Sequence, residues 1–178
     1  MKSTRFLCSF AVVAVLGAAS IALAQTTPST PAGPVPPAIL HAKSVFISNA
    51  GSEPGLFPQH FTGDVQPPYL FTGDQDRPYA EFYAALEATG DYKLLNDPSE
   101  ADLVLEVQLP GPHSPLSPQP DFRLVIYSAQ GRYVLWTIAQ SIEPAELQKN
   151  RDKNFDQALT GVLDKFLSIA GKGPVPTH

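Results

Sequence analysis

The sequence predicts an α/β domain: a mixed sheet of about four to five strands with two amphipathic helices on one face, in the order β-α-β-β-β-β-α. Three observations carry this. Leu103, Leu105, Val107 and Leu109 alternate with Val104, Glu106 and Gln108, the period of a strand with one buried face. Tyr79, Phe82, Tyr83 and Leu86 recur at helical spacing, and so do Phe155, Leu159, Val162, Leu163, Phe166 and Ala170. The runs Phe122–Ser128 and Arg132–Ile142 are β-rich and joined by Ala129-Gln130-Gly131, which reads as a hairpin with Gly131 at a positive φ.

The remaining elements follow in chain order. Ala42–Ser48 is too short for a helix and rich enough in apolar and β-branched residues for a buried strand. A Gly/Pro-rich connection covers residues 49–77. Asp76 is placed to cap the first helix, Pro78 to start it and Gly90 to end it. Tyr92–Leu95 has room for a brief strand only. A crossover makes that strand parallel to the first, and the others are expected to be antiparallel. The last helix is expected from about Asn154 to Gly171.

Residues 1–24 have the grammar of a secretory signal peptide: Lys2 and Arg5, an apolar run from Phe6, and Ala22-Leu23-Ala24 before Gln25. The apolar stretch is short and no basic flank follows, so cleavage is expected rather than a stable membrane anchor. The single cysteine, Cys8, lies too early to become a lipid-bearing first residue. A periplasmic or secreted location follows, with stability resting on a hydrophobic core rather than disulfides. Residues 25–39 read as a disordered Pro/Thr-rich spacer, 40–171 as one domain and 172–178 as a flexible tail. Removing Lys2 and Arg5 from the 12 basic residues leaves ten against 17 acidic ones. That balance argues against nucleic acid and anionic membrane as partners.

The phrases "FYAALEATGDYKLL", "DPSEADLVLEVQL" and "LVIYSAQGRYVLWT", in this order, resemble the small α/β domain of bacterial envelope proteins. That group includes the N-terminal domain of TolB, CsgG, lipoprotein activators of penicillin-binding proteins, and related families of unknown function. The shared features are Ala101-Asp102, the strand Leu103–Leu109 and a hairpin closing on Trp136. The resemblance covers roughly residues 42–171. It implies a non-enzymatic domain that contacts another envelope protein, and it carries over no catalytic residue.

The chemistry of the chain agrees. His41, His60, His113 and His178 are not at ligand spacing, so neither a metal nor a cofactor is expected. Asp74, Asp76 and Glu81 cluster where a helix N-terminus favours negative charge, which makes capping the ordinary reading. A hydrolase built from Asp74, Asp76 or His60 is the rival that a turnover assay would revive. Trp136 is expected on the core face.

Partner contacts are expected in two places. The first is the aromatic connection, where Phe57 and Phe71 should pack back and Phe61, Tyr69 and Leu70 should meet a partner. The second is the basic cluster Lys149, Arg151 and Lys153, for which a solvated face is the plainer reading. A small-molecule or glycan pocket walled by residues 56–79 is the alternative. The connection also contains a tandem repeat, FTGDVQPPYL followed by FTGDQDRPYA, which reads as a duplication tolerated in a surface loop.

Overall fold

The computed structural model describes residues 33–57, 68–112, 119–131 and 133–173. The predicted signal peptide and Phe61 lie outside them. Helix α1 spans Pro37–His41, strand β1 Ser44–Ser52, helix α2 Arg77–Thr89, strands β2, β3, β4 and β5 Lys93–Leu94, Leu103–Leu109, Asp121–Ser128 and Val134–Ser141, and helix α3 Gln148–Ile169. A single 3-10 turn, Pro54–Leu56, follows β1. The five strands form one mixed sheet in the order β2-β1-β3-β4-β5, as the sequence predicts.

One pairing differs from expectation. β3 runs parallel to β1, as β2 does, and only β4 and β5 are antiparallel to their neighbours. The reason is the brevity of β2. Its two residues meet only Ser44 and Val45, and β3 begins opposite the same Val45. The segment between them passes the N-terminal end of β1 and has no need to return along the sheet.

Asp102 secures that crossing. Its Oδ2 accepts the backbone N–H of Lys43 and of Ser44, both at 2.9 Å, and the Ser44 hydroxyl at 3.0 Å. These donors hold its carboxyl below the usual range, the Lys43 N–H contributing most. The Ala-Asp phrase before β3 is therefore a strand-start clamp.

The core lies between one sheet face and the helices. Val45, Ile47, Leu103, Leu105, Val107, Leu124, Ile126 and Ile138 meet Phe82 and Leu86 of α2 and Phe155, Leu159, Val162 and Phe166 of α3. A chain of rings, Phe57–Phe71–Phe155–Phe122–Phe82, joins the connection to both helices at centroid separations of 5.4–6.4 Å. Trp136 is half-buried against this core.

Several helix ends depart from expectation. α3 begins at Gln148, about six residues before the expected Asn154, because Arg151 is turned inward as described below. Asp76 makes no side-chain cap on α2; its Oδ1 instead accepts Asn49 Nδ2 at 2.8 Å. Gly90 and Gly171 close their helices at φ +68° and +71°, as predicted. Gly131 is not at positive φ; a Cβ there would strike the Tyr133 ring.

Both domain borders extend further than the sequence suggests. Pro37 starts α1, and the single turn it pre-sets carries Ile39 into the core with no exposed surface. At the other end Lys172 Nζ donates to Asp91 O at 2.6 Å and lies 3.6 Å from the Tyr92 ring centroid.

Tyr92 itself stacks on Phe166 at 5.4 Å, and its hydroxyl is buried without a partner. Burial pushes that phenol far up. An unmade hydrogen bond of this kind costs about 1–3 kcal/mol. Tyr92→Phe should therefore raise stability, by about 1 kcal/mol once the ring's packing is kept; a measured loss in urea melts would show a donor or acceptor at that hydroxyl.

Candidate functional site

A sheet covered on one face by helices leaves its other face to water or to a partner. In register on that second face stand Phe46 and Ser48 of β1, Val104, Glu106 and Gln108 of β3, and Arg123, Val125 and Tyr127 of β4. None of the described helices covers it, since α2 and α3 both pack on the opposite face. Its composition is mixed. Phe46 and Val104 are half-buried and lie outside the main core, while Val125 is buried by its neighbours at 8% exposure.

Glu106 sits at the centre of this face. One of its oxygens accepts Gln108 Nε2 at 2.6 Å and the Tyr127 hydroxyl at 3.2 Å. Burial, then the charge of Glu106, raises the Tyr127 phenol above its ordinary value. The two side chains border a depression of about 560 Å³ with Ser99, Val104, Ser128 and Gln130 around it. A carboxylate with hydroxyl and amide groups beside apolar surface suits recognition through hydrogen bonds and contact area.

The structure separates the residues singled out from sequence. Leu70 is 2% exposed and is a packing residue rather than a contact surface. Tyr69 is half-buried against the core. The described ends of the connection turn inward because Phe57 and Phe71 complete the ring chain, and Leu70 is carried in with Phe71. Leu56, Phe57, Leu70 and Phe71, at the two described ends of the connection, all belong to the interior.

Arg151 is also corrected: it is 2% exposed. Its guanidinium donates to Leu70 O at 2.9 Å, Glu146 O at 2.6 Å, Ala145 O at 3.3 Å and Gln148 Oε1 at 2.6 Å. Carbonyl dipoles offset its charge, so a cation can stand near a helix N-terminus. Lys149 and Lys153 remain exposed on the helix's outer side.

The second FTGD is structural throughout. Phe71 is core; Thr72 donates through N–H and hydroxyl to the two oxygens of Asp152 at 2.8 and 2.7 Å. Gly73 has φ +103°, and a Cβ there would lie 3.0 Å from Arg77 Cδ. Asp74 Oδ1 accepts the Asp76 N–H at 3.0 Å. Arg77 then bridges Glu81, Asp152 and Asp156 at 2.7–2.9 Å and lies 4.3 Å from the Phe155 ring centroid. Asp74 and Asp76 are thus engaged in turn geometry, and His60 lies outside the described residues. Among the described residues, no group of three or more His, Cys, Asp or Glu is placed to hold a metal, and no helix is long and apolar enough to cross a membrane.

The fold and this face together define a mixed α/β domain with one sheet surface covered by helices and the other, among the described residues, left open. No protein-family model matches the chain, and no curated protein matches it. Solved structures do. PelC, a dodecamer from Paraburkholderia phytofirmans, is similar at 12% identity and TM-score 0.42, over 70% of this chain and 86% of that one. The C-terminal domain of LpoB from Salmonella enterica is similar at 12% identity and TM-score 0.36, over 57% and 84%. A Xanthomonas campestris protein described by the family model DUF330 is similar at 14% identity and TM-score 0.41, over 73% and 86%. The likeness to these three chains holds at 12–14% identity. It concerns architecture alone.

Proposed function

We propose that this chain is an exported, non-enzymatic interaction domain of the bacterial envelope, docking a protein partner on the open face of its sheet. The observation that carries the reading is that face itself: Phe46, Val104 and Val125 stand among Glu106, Gln108 and Tyr127 with no described helix over them. Apolar Phe46, Val104 and Val125 beside the central Glu106 offer a protein partner contact area together with hydrogen-bonding groups. The leader-like residues 1–24 support export, and the low net charge of −5 for the whole chain favours a protein over a nucleic acid. Lys149 and Lys153, exposed on α3, and Tyr69 are secondary contact candidates.

Site-specific photo-crosslinking in intact cells tests this. A photoreactive residue at position 104 should give a discrete adduct with one envelope protein, while one at Gln157, exposed on the outer side of α3, should give none. Adducts from position 157 alone, or none from 104 at saturating illumination, would overturn the placement.

The depression beside Glu106 favours a second reading, a small ligand held by the carboxylate and the surrounding hydroxyls; about 560 Å³ is within the usual range for such sites. Glu106→Gln would then abolish a ligand-induced rise in melting temperature and leave the crosslink at 104 in place.

A further inference from the structure

We propose that β5 is a self-association edge, and that two copies of this chain join through it by antiparallel β5–β5 pairing into one continuous sheet. Among the described residues β5 is the last strand of the sheet and pairs on one side only, with β4. The phase of its backbone follows from the flanking bond in which Ile142 N–H donates to Pro120 O at 3.0 Å. In an antiparallel ladder, residues of that parity bond inward and those between them bond outward. The register Phe122↔Gln140 and Leu124↔Ile138 then directs the N–H and C=O of Thr137, Ala139 and Ser141 away from β4.

Sheet edges of soluble proteins are guarded by proline, charged side chains or brevity. β5 reads VLWTIAQS over eight residues, without a proline or a charge. The opposite edge, β2, has only two residues and is guarded by its length. Lys165 of α3 reaches this edge: its Nζ bonds Gln140 Oε1 at 2.7 Å and touches Ala139 O only at 3.5 Å. Its principal partner is a side chain, so the outward carbonyl keeps a lone pair for a strand.

The occupant such an edge needs is another extended strand with free donors and acceptors, and the chain itself supplies one. Under a two-fold axis the same row is its own complement. Charge supports a second copy as well: the chain carries −5 overall, yet the strand that would lie on the axis carries none, so the copies meet where they do not repel. Apolar surface gathers at the same place. Of the four exposed large hydrophobic residues described, Tyr133 at 59% directly precedes this strand and Val134 at 53% opens it, and antiparallel pairing lays them against the far end of the partner's.

Sedimentation equilibrium on the protein as the host processes it tests the pairing. The wild-type protein should weigh twice its chain mass at micromolar concentration. Thr137→Pro removes an outward N–H and no bond to β4, and Ala139→Lys places a charge at the edge; both should weigh one chain with their unfolding transitions kept. If Thr137→Pro does not fold, Ala139→Lys decides. Phe46→Glu, on the open face, should leave the double mass unchanged, which separates this pairing from the docking reading above. A wild-type protein that stays at one chain mass into the high micromolar range overturns the proposal. So does a dimer that survives Ala139→Lys, or a monomer that instead takes up an extended peptide from another protein.

Discussion

Replacing Arg151 by Met should lower the unfolding free energy by about 2–4 kcal/mol, whereas Lys149→Met and Lys153→Met should each change it by less than about 0.5 kcal/mol. All three are cations within the first two turns of α3, yet only Arg151 is buried. Met keeps most of the side chain's length and apolar stem and removes every donor. Among the described residues four acceptors then lose the guanidinium donor: the carbonyls of Leu70, Ala145 and Glu146, and Gln148 Oε1.

Two effects pull against each other. A buried acceptor left unmade costs about 1–3 kcal/mol, while relieving a guanidinium of burial returns part of its desolvation. The first effect should win, though by less than four full penalties. Glu146 is exposed and its carbonyl can rehydrate, and Leu70 O keeps the Gln148 Nε2 donor at 3.0 Å. Urea melts at one pH decide the matter. Equal small losses in the three variants would mean that Arg151 is in water and does not tie Leu70 to α3.

What the sequence disclosed and what it hid divide along a physical line. Periodicity is written locally, so the alternation of β3, the stripes of α2 and α3 and the closing glycines at 90 and 171 were all legible. The wet side of β3, Val104-Glu106-Gln108, was legible too. That none of the described helices covers it was not, because this depends on α2 and α3 choosing the same face. Arg151 misled because a cation at a helix start ordinarily faces solvent, and the carbonyls that hold it lie as far away as residue 70. Ile39 and Leu70 misled in the same way: single apolar residues in Pro-rich stretches carry no period, and only tertiary packing recruits them.

Leu70 makes the repeat experimentally useful. Deleting residues 61–70 removes one copy of the duplicated decapeptide and leaves His60 directly before Phe71. If the first copy were only surplus loop, the sole effect would be a shorter closure, worth about 0.5 kcal/mol in favour of folding. Leu70 is 2% exposed, however, and losing such a side chain forfeits about 1.5–3 kcal/mol of burial. The backbone contacts are less at risk. Phe71 N–H, which donates to Leu56 O at 2.8 Å, is retained, and the His60 carbonyl takes the position that Leu70 O holds for Arg151.

The deletion should therefore destabilise by about 2 kcal/mol and still unfold cooperatively, since Phe57, Phe71 and Phe155 keep their ring contacts. Adding His60→Leu to the deletion should recover most of that loss, because it restores an apolar side chain at the position before Phe71. A deletion with an unchanged melting temperature would mean that Leu70 contributes nothing to the core. Failure of His60→Leu to rescue would place the missing stability elsewhere in residues 61–69, and the first copy would then belong to the folded interior alongside the second.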